Sequence, residues 1–190
     1  ETFTENLTSI SNTSSVQAAA ITITGSPQTG TITNDDNAQV SIAANVTQAE
    51  NLTPQVFSVT LSNPVDAVVT VQFSTSDGTA TTSDNDYTGI TNQVVTFPIG
   101  STTTQTVNVG ITNDNKVENN EVYNVALNSL SSSGRNVTFG TTTRTGTITN
   151  DDAAVVTLTG TQSLPEGNSG TTPFVFNATL NNPVQGGFTL

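Results

Sequence analysis

The stretch Gly146–Asp152 reads GTITNDD, and the same seven residues stand 116 positions earlier at Gly30–Asp36. Each copy alternates small and apolar residues as a half-buried strand does, then runs into two carboxylates. Further matches surround it. TPQVFSVTLSNPV (Thr53–Val65) returns as TPFVFNATLNNPV (Thr172–Val184), and ETFTENLTSI at residues 1–10 is similar to EVYNVALNSL (Glu121–Leu130). Self-similarity with a period near 116 residues is too long for a solenoid unit and suits a whole β-sandwich. The repeat therefore divides the chain into 1–36, the C-terminal part of one unit; 37–152, a complete unit; and 153–190, the N-terminal part of another.

Within the complete unit, alternating runs rich in Val, Ile, Thr and Phe predict seven strands, over residues 38–44, 54–62, 67–76, 93–98, 104–112, 121–129 and 142–150. No window of ten or more residues carries helical spacing, so the fold class is all-β: tandem, immunoglobulin-like, seven-stranded sandwiches. The inward faces read as Val40 and Ile42; Phe57, Val59 and Leu61; Val69, Val71 and Phe73; Val95 and Phe97; Val107, Val109 and Ile111; Tyr123, Val125 and Leu127; and Ile148. Asn63-Pro64 and Pro98-Ile99-Gly100 supply the turn chemistry between consecutive strands.

Charge narrows the function. Fifteen acidic residues face only three basic ones (Lys116, Arg135 and Arg144), giving a net charge of −12. Nucleic acids and anionic membrane surfaces need basic side chains to displace counter-ions, so neither is an expected partner. The chain has no Cys and no His, which excludes disulfides, thiolate metal sites and most nucleophile–base pairs. No enzymatic activity is expected. With no Trp and only two Tyr, a two-carboxylate glycosidase lacks stacking platforms for sugars. Cationic partners fit best.

If successive strands are antiparallel, alternate loops share one pole of the sandwich. The loops after the first, third and fifth strands, with the exit from the seventh, then collect Glu50, Asp77, Asp84, Asp86, Asp114, Glu118, Glu121, Asp151 and Asp152. Only Asp66 falls at the other pole. Acidic residues in loops ordinarily serve solubility and turn geometry, and Asp77-Gly78 reads as a plain turn. Nine converging carboxylates, with Lys116 as the sole nearby base, instead call for a cation. Calcium takes about 6–8 oxygen ligands in flexible geometry, whereas zinc and copper prefer His or Cys.

The run SDGTATTSDNDYTGI, followed by VVTFPIGSTTTQTVNVGITNDNKVENNEVYNVAL and then GTITNDD, resembles the Calx-β domain. The resemblance covers the whole complete unit, two strands of 1–36 and about two of 153–190. It implies an immunoglobulin-like sandwich whose loops bind regulatory calcium in exchangers, and tandem arrays in large bacterial surface proteins. Matched by motif, the calcium ligands it implies are Glu50, Asp86, Asp114, Glu118, Glu121, Asp151 and Asp152. Asn113, Asn115, Asn119 and Asn120 stand where the family often carries acidic residues or Gly-Asp, which implies weaker binding.

The expected function is a structural calcium-binding repeat of an extracellular adhesin or filament stalk on a bacterial cell surface, with Ca2+ stiffening inter-domain joints. Its partners would be neighbouring repeats, other copies in a filament, or a surface ligand, without direct membrane contact. The alternative is a calcium-sensing regulatory module of a transporter or receptor. Asn-x-Ser/Thr sequons at Asn6, Asn12, Asn45, Asn51, Asn136 and Asn177 are expected by chance in so Asn- and Thr-rich a chain.

Overall fold

The computed structural model describes residues 1–9, 22–102 and 104–190; the sequon at Asn12 lies outside the described residues. The chain forms two compact units, Glu1–Asp36 and Asn37–Leu190. In the first unit, β1 (Thr2–Glu5) pairs antiparallel with β2 (Gln28–Thr31).

The second unit contains β3 (Ala38–Ile42), β4 (Val46–Ala49), β5 (Gln55–Leu61), β6 (Val69–Ser76), β7 (Gln93–Phe97), β8 (Gln105–Val109), β9 (Glu121–Ser131), β10 (Val137–Phe139), β11 (Thr143–Thr149), β12 (Val156–Thr159) and β13 (Asn177–Leu180). Two sheets face each other, ordered β10-β3-β5-β8 and β4-β11-β9-β6-β7. Alternate residues of each strand point into the gap between the sheets, as two-residue periodicity requires. All the side chains expected to face inward are buried there. Phe57 lies 5.9 Å from Phe73 and 6.3 Å from Tyr123, ring centre to ring centre. Each fully buried aliphatic or aromatic side chain contributes about 1.5–3 kcal/mol relative to exposure.

Two features depart from the seven-strand reading. The expected first strand, 38–44, is β3, paired with β5 in one sheet; β4 lies beyond it, in the stretch expected to be a loop, and pairs in parallel with β11 in the other sheet. At the crossing, Asn45 Oδ1 accepts the amide of Thr145 at 3.1 Å, one residue before the Gly146↔Val46 pairing begins. The second departure is β10, three residues paired in parallel with β3, where the sequence shows only a connecting loop.

The hairpin β12–β13 reproduces the geometry of β3–β5. Val156↔Leu180 stands where Val40↔Leu61 stands earlier. Asn182 Nδ2 donates to the Ala153 carbonyl just as Asn63 Nδ2 donates to that of Asn37, both at 2.7 Å. Likewise, Phe3 pairs with Gly30 in β1–β2 as Tyr123 pairs with Gly146 in β9–β11. That pairing explains the glycine of GTITNDD. A Cβ at Gly146 would collide with the Tyr123 ring, and one at Gly30 with the Phe3 ring.

Candidate metal centre

The strand directions gather the acidic loops. The parallel register Thr149↔Ala49 sends β4 and β11 off the same end of the sheet, so Glu50 emerges beside Asn150 and Asp151. The antiparallel pairing of β6 with β9, ending at Ser76↔Asn124, brings the loop after β6 to the start of β9 at Glu121. Tyr87 and Ile111 form an isolated bridge, which ties that loop to the segment after β8. Gly78 allows the close approach: a Cβ there would meet the carbonyl oxygen of Val122.

The result is a small polar cavity lined by Glu50, Asp86, Asp114, Glu118, Glu121 and Asn150, among others. Two carboxylate trios stand at this pole. Glu50, Asp114 and Asp152 each offer an oxygen, all three within 4.8 Å of one another, and Asp84, Asp86 and Glu118 do the same. Two oxygens on opposite sides of a cation at about 2.4 Å are about 4.8 Å apart, so both spacings fit one calcium-sized coordination sphere. Of the candidates read from sequence, five sit in these trios. Asp151 does not; its side chain accepts a hydrogen bond from Asn51 Nδ2. Glu121 lines the cavity but joins neither trio.

The trios differ in what already neutralises them. Lys116 Nζ lies 2.6 Å from Asp84 Oδ2 and also pairs with Glu118 Oε1. Its ammonium is held well above the usual lysine range, first by the hydrogen bond to Asp84 and then by that to Glu118. Among the described residues, no cation serves the Glu50–Asp114–Asp152 trio, and Asp152 Oδ2 is buried without a hydrogen-bond partner. Burial pushes the Glu50 carboxyl up to about 7, reinforced by its hydrogen bond with the Asp151 side chain and by the charges of Asp152 and Asp151; the Asp151 amide, at 3.4 Å from Oε1, acts the other way. Glu121 is likewise raised, chiefly by burial, and is opposed by a hydrogen bond from Gln185. A buried carboxylate oxygen without a donor, in an all-oxygen site, fits a hard cation.

Several residues that organise the pole are neutral or structural. Asn150 Oδ1 accepts the Glu118 amide at 2.9 Å while Nδ2 donates to the Asp152 carbonyl at 2.9 Å, stitching the loop before β9 to the exit of β11. Its presence inside the repeated GTITNDD was the available signal. Asp77, read as a plain turn, accepts the Tyr87 hydroxyl at 2.7 Å, a bond that holds its carboxyl below the usual range. Asp66 lies with Arg135 in a two-point ion pair of its own.

The Calx-beta domain family model matches residues 34–153. Among solved structures, the apo-form Calx CBD1 domain superposes with a TM-score of 0.54 at 23% identity, covering 60% of this chain and 98% of that one. The calcium binding domain CBD12 of CALX1.1 gives 0.54 at 22% identity, covering 68% of this chain and 53% of that one. For CBD12 from CALX1.2 the values are 0.53, 22%, 60% and 44%. No curated protein matches the chain significantly. At these identities the structural likeness establishes the fold, and the family match spans well over half of the chain. The chain belongs to the Calx-β domain family.

Proposed function

We propose that this chain is a calcium-binding, non-catalytic β-sandwich segment of an extracellular adhesin or surface-filament stalk, in which Ca2+ stiffens the joint between successive units. The observation that carries the reading is the Glu50–Asp114–Asp152 trio, which joins the exit of β11 to two loops and leaves Asp152 Oδ2 without a partner. Ala153 follows at once and is already tied to Asn182 of the next hairpin. Little slack remains between the carboxylates and the following strands.

In this reading Glu50, Asp114 and Asp152 hold one ion, with Asp86, Glu118, Glu121 and Asp151 completing the acidic pole. Calcium supplies charge neutralisation and a rigid crosslink between segments distant in sequence. The protein's own residues set the geometry: Asn150 fixes the Glu118 loop against Asp152, and the β4–β11 ladder fixes Glu50 against both. The repeated hairpin registers of β1–β2 and β12–β13 support tandem units flanking a complete one. The partners are then neighbouring repeats, together with other copies in a filament or a surface ligand. A bacterial cell-surface location suits a Cys-free, strongly acidic chain.

Calcium should raise the melting temperature and reduce the scattering-derived flexibility of the full chain relative to chelator. Identical melting curves and scattering profiles in the two conditions would sink the proposal. Asp152→Asn should weaken calcium binding by about 10-fold or more, because it removes a charged ligand.

A second reading, a calcium-sensing module of a transporter or receptor, is favoured by the likeness to a structure described as a calcium binding domain of CALX1.1. Affinity separates them. Sensors bind calcium at about 10⁻⁷–10⁻⁵ M, whereas extracellular modules bind at about 10⁻⁴–10⁻³ M.

A further inference from the structure

Where the segment after Asp152 meets the acidic pole, contact is made by one turn. Val117 and Val184 form an isolated parallel bridge. Its two backbone bonds run from the Val117 amide to the Pro183 carbonyl and from the Gln185 amide to the Val117 carbonyl, each 2.9 Å. The Gln185 side chain adds two more. Its Nε2 donates to Glu121 Oε1 at 2.7 Å, and its Oε1 accepts the Asn119 amide at 3.3 Å.

The turn is held in place for this contact. Asn182 Nδ2 clamps it to the Ala153 carbonyl, and Asn181 Oδ1 accepts the Val155 amide at 2.6 Å. Both anchors lie within three residues of Asp152, so the turn stands beside the exit carboxylates. The corresponding turn of the first hairpin, Asn63-Pro64-Val65-Asp66, carries Asp66 in place of Gln185. Asp66 pairs with Arg135 instead. A carboxylate at residue 185 would face Glu121 with like charge, while an amide can donate to it.

We propose that the Asn182–Gln185 turn is a docking element for the Lys116–Glu121 loop, and that Gln185 couples this docking to cation binding by positioning Glu121. The inference rests on the calcium reading above and adds a route: the ion orders the loop, the ordered loop presents Val117 and Glu121, and the turn seats on both. Coupling of this kind is reciprocal. The factor by which docking tightens calcium is the factor by which calcium tightens docking.

The test uses the full chain and Gln185→Met, which keeps the side-chain length and loses both side-chain hydrogen bonds. Calcium affinity is measured by calorimetry, and exchange of the Val117 and Gln185 amides by NMR, with calcium and with chelator. In the unsubstituted chain calcium should slow exchange of both amides by about 10-fold, and Gln185→Met should weaken calcium binding by a similar factor. In Gln185→Met the calcium effect on these two amides should disappear, while the melting temperature in chelator changes little. A purely structural role would move the melting temperature and leave the calcium effect intact. Unprotected Val117 and Gln185 amides in the unsubstituted chain, with or without calcium, would overturn the docking. Normal calcium affinity in Gln185→Met would overturn the coupling alone. Absence of calcium binding by the unsubstituted chain would instead overturn the calcium reading on which the coupling depends.

Discussion

Glu50 shows how a single side chain can report on the whole acidic pole. It is only 4% exposed, and its carboxyl sits at about 7 in the folded chain against 4.5 in the unfolded one. Between those values the folded state binds more protons than the unfolded state, so stability falls as pH rises through that window. Glu121 acts in the same direction, being raised chiefly by burial. Asp66 and Asp77 are lowered and act only at more acidic pH. Calcium-free protein should therefore lose melting temperature as the buffer goes from about pH 5 to about pH 8, and Glu50→Gln should flatten the slope. Calcium should flatten it too, since the ion takes the place of the proton, and calcium affinity should rise with pH. An apo melting temperature that climbs across this range contradicts the assignment. Tyr123 offers a second test at the same scale. Its hydroxyl donates to Gln55 Oε1 at 2.8 Å, while Gln55 Nε2 donates to the Thr147 carbonyl at 2.7 Å. Tyr123→Phe leaves a buried acceptor without a donor and should cost about 1–3 kcal/mol in denaturant unfolding.

Among elements, β11 carries the most structure in the fewest residues. Its register brings Gly146 under the Tyr123 ring, its parallel edge holds β4, and its end delivers Asn150 and the two aspartates. Gly146→Ala drives a methyl group into that ring and should destabilise by about 1–3 kcal/mol, the usual range for overpacking. Combining it with Tyr123→Leu should recover part of the loss; a strictly additive double variant argues against the steric cause. β4 falls in the expected loop after the first strand for a physical reason. Val46–Ala49 reads Val-Thr-Gln-Ala, too short and too polar to show alternation, and periodicity reports which faces are buried rather than which sheet a strand joins. Asn45, which meets the Thr145 amide at the crossing, marks the change only once the partner strand is known. The short β10 was missed because its Val-Thr-Phe is too brief to show alternation.

For the whole molecule, nine carboxylates at one pole in a chain of net charge −12 make the calcium-free state sensitive to screening. The Debye length falls from about 30 Å to about 10 Å between about 0.01 M and about 0.1 M salt. The apo melting temperature should rise over that range, and more steeply than that of the calcium-loaded protein; equal slopes would mean that the pole stores little repulsion. The all-β class, the buried face of every expected strand and the pole to which the acidic loops belong were all legible in the residues, because two-residue periodicity and loop parity are local properties of the chain. Tertiary structure decided the rest: which carboxylates stand within 4.8 Å of one another, that Lys116 serves one trio and not the other, and that Asn150 and Gln185 hold the loops. Those relations arise between segments up to about a hundred residues apart. They are set by strand pairing across the two sheets, which no single stretch of sequence carries.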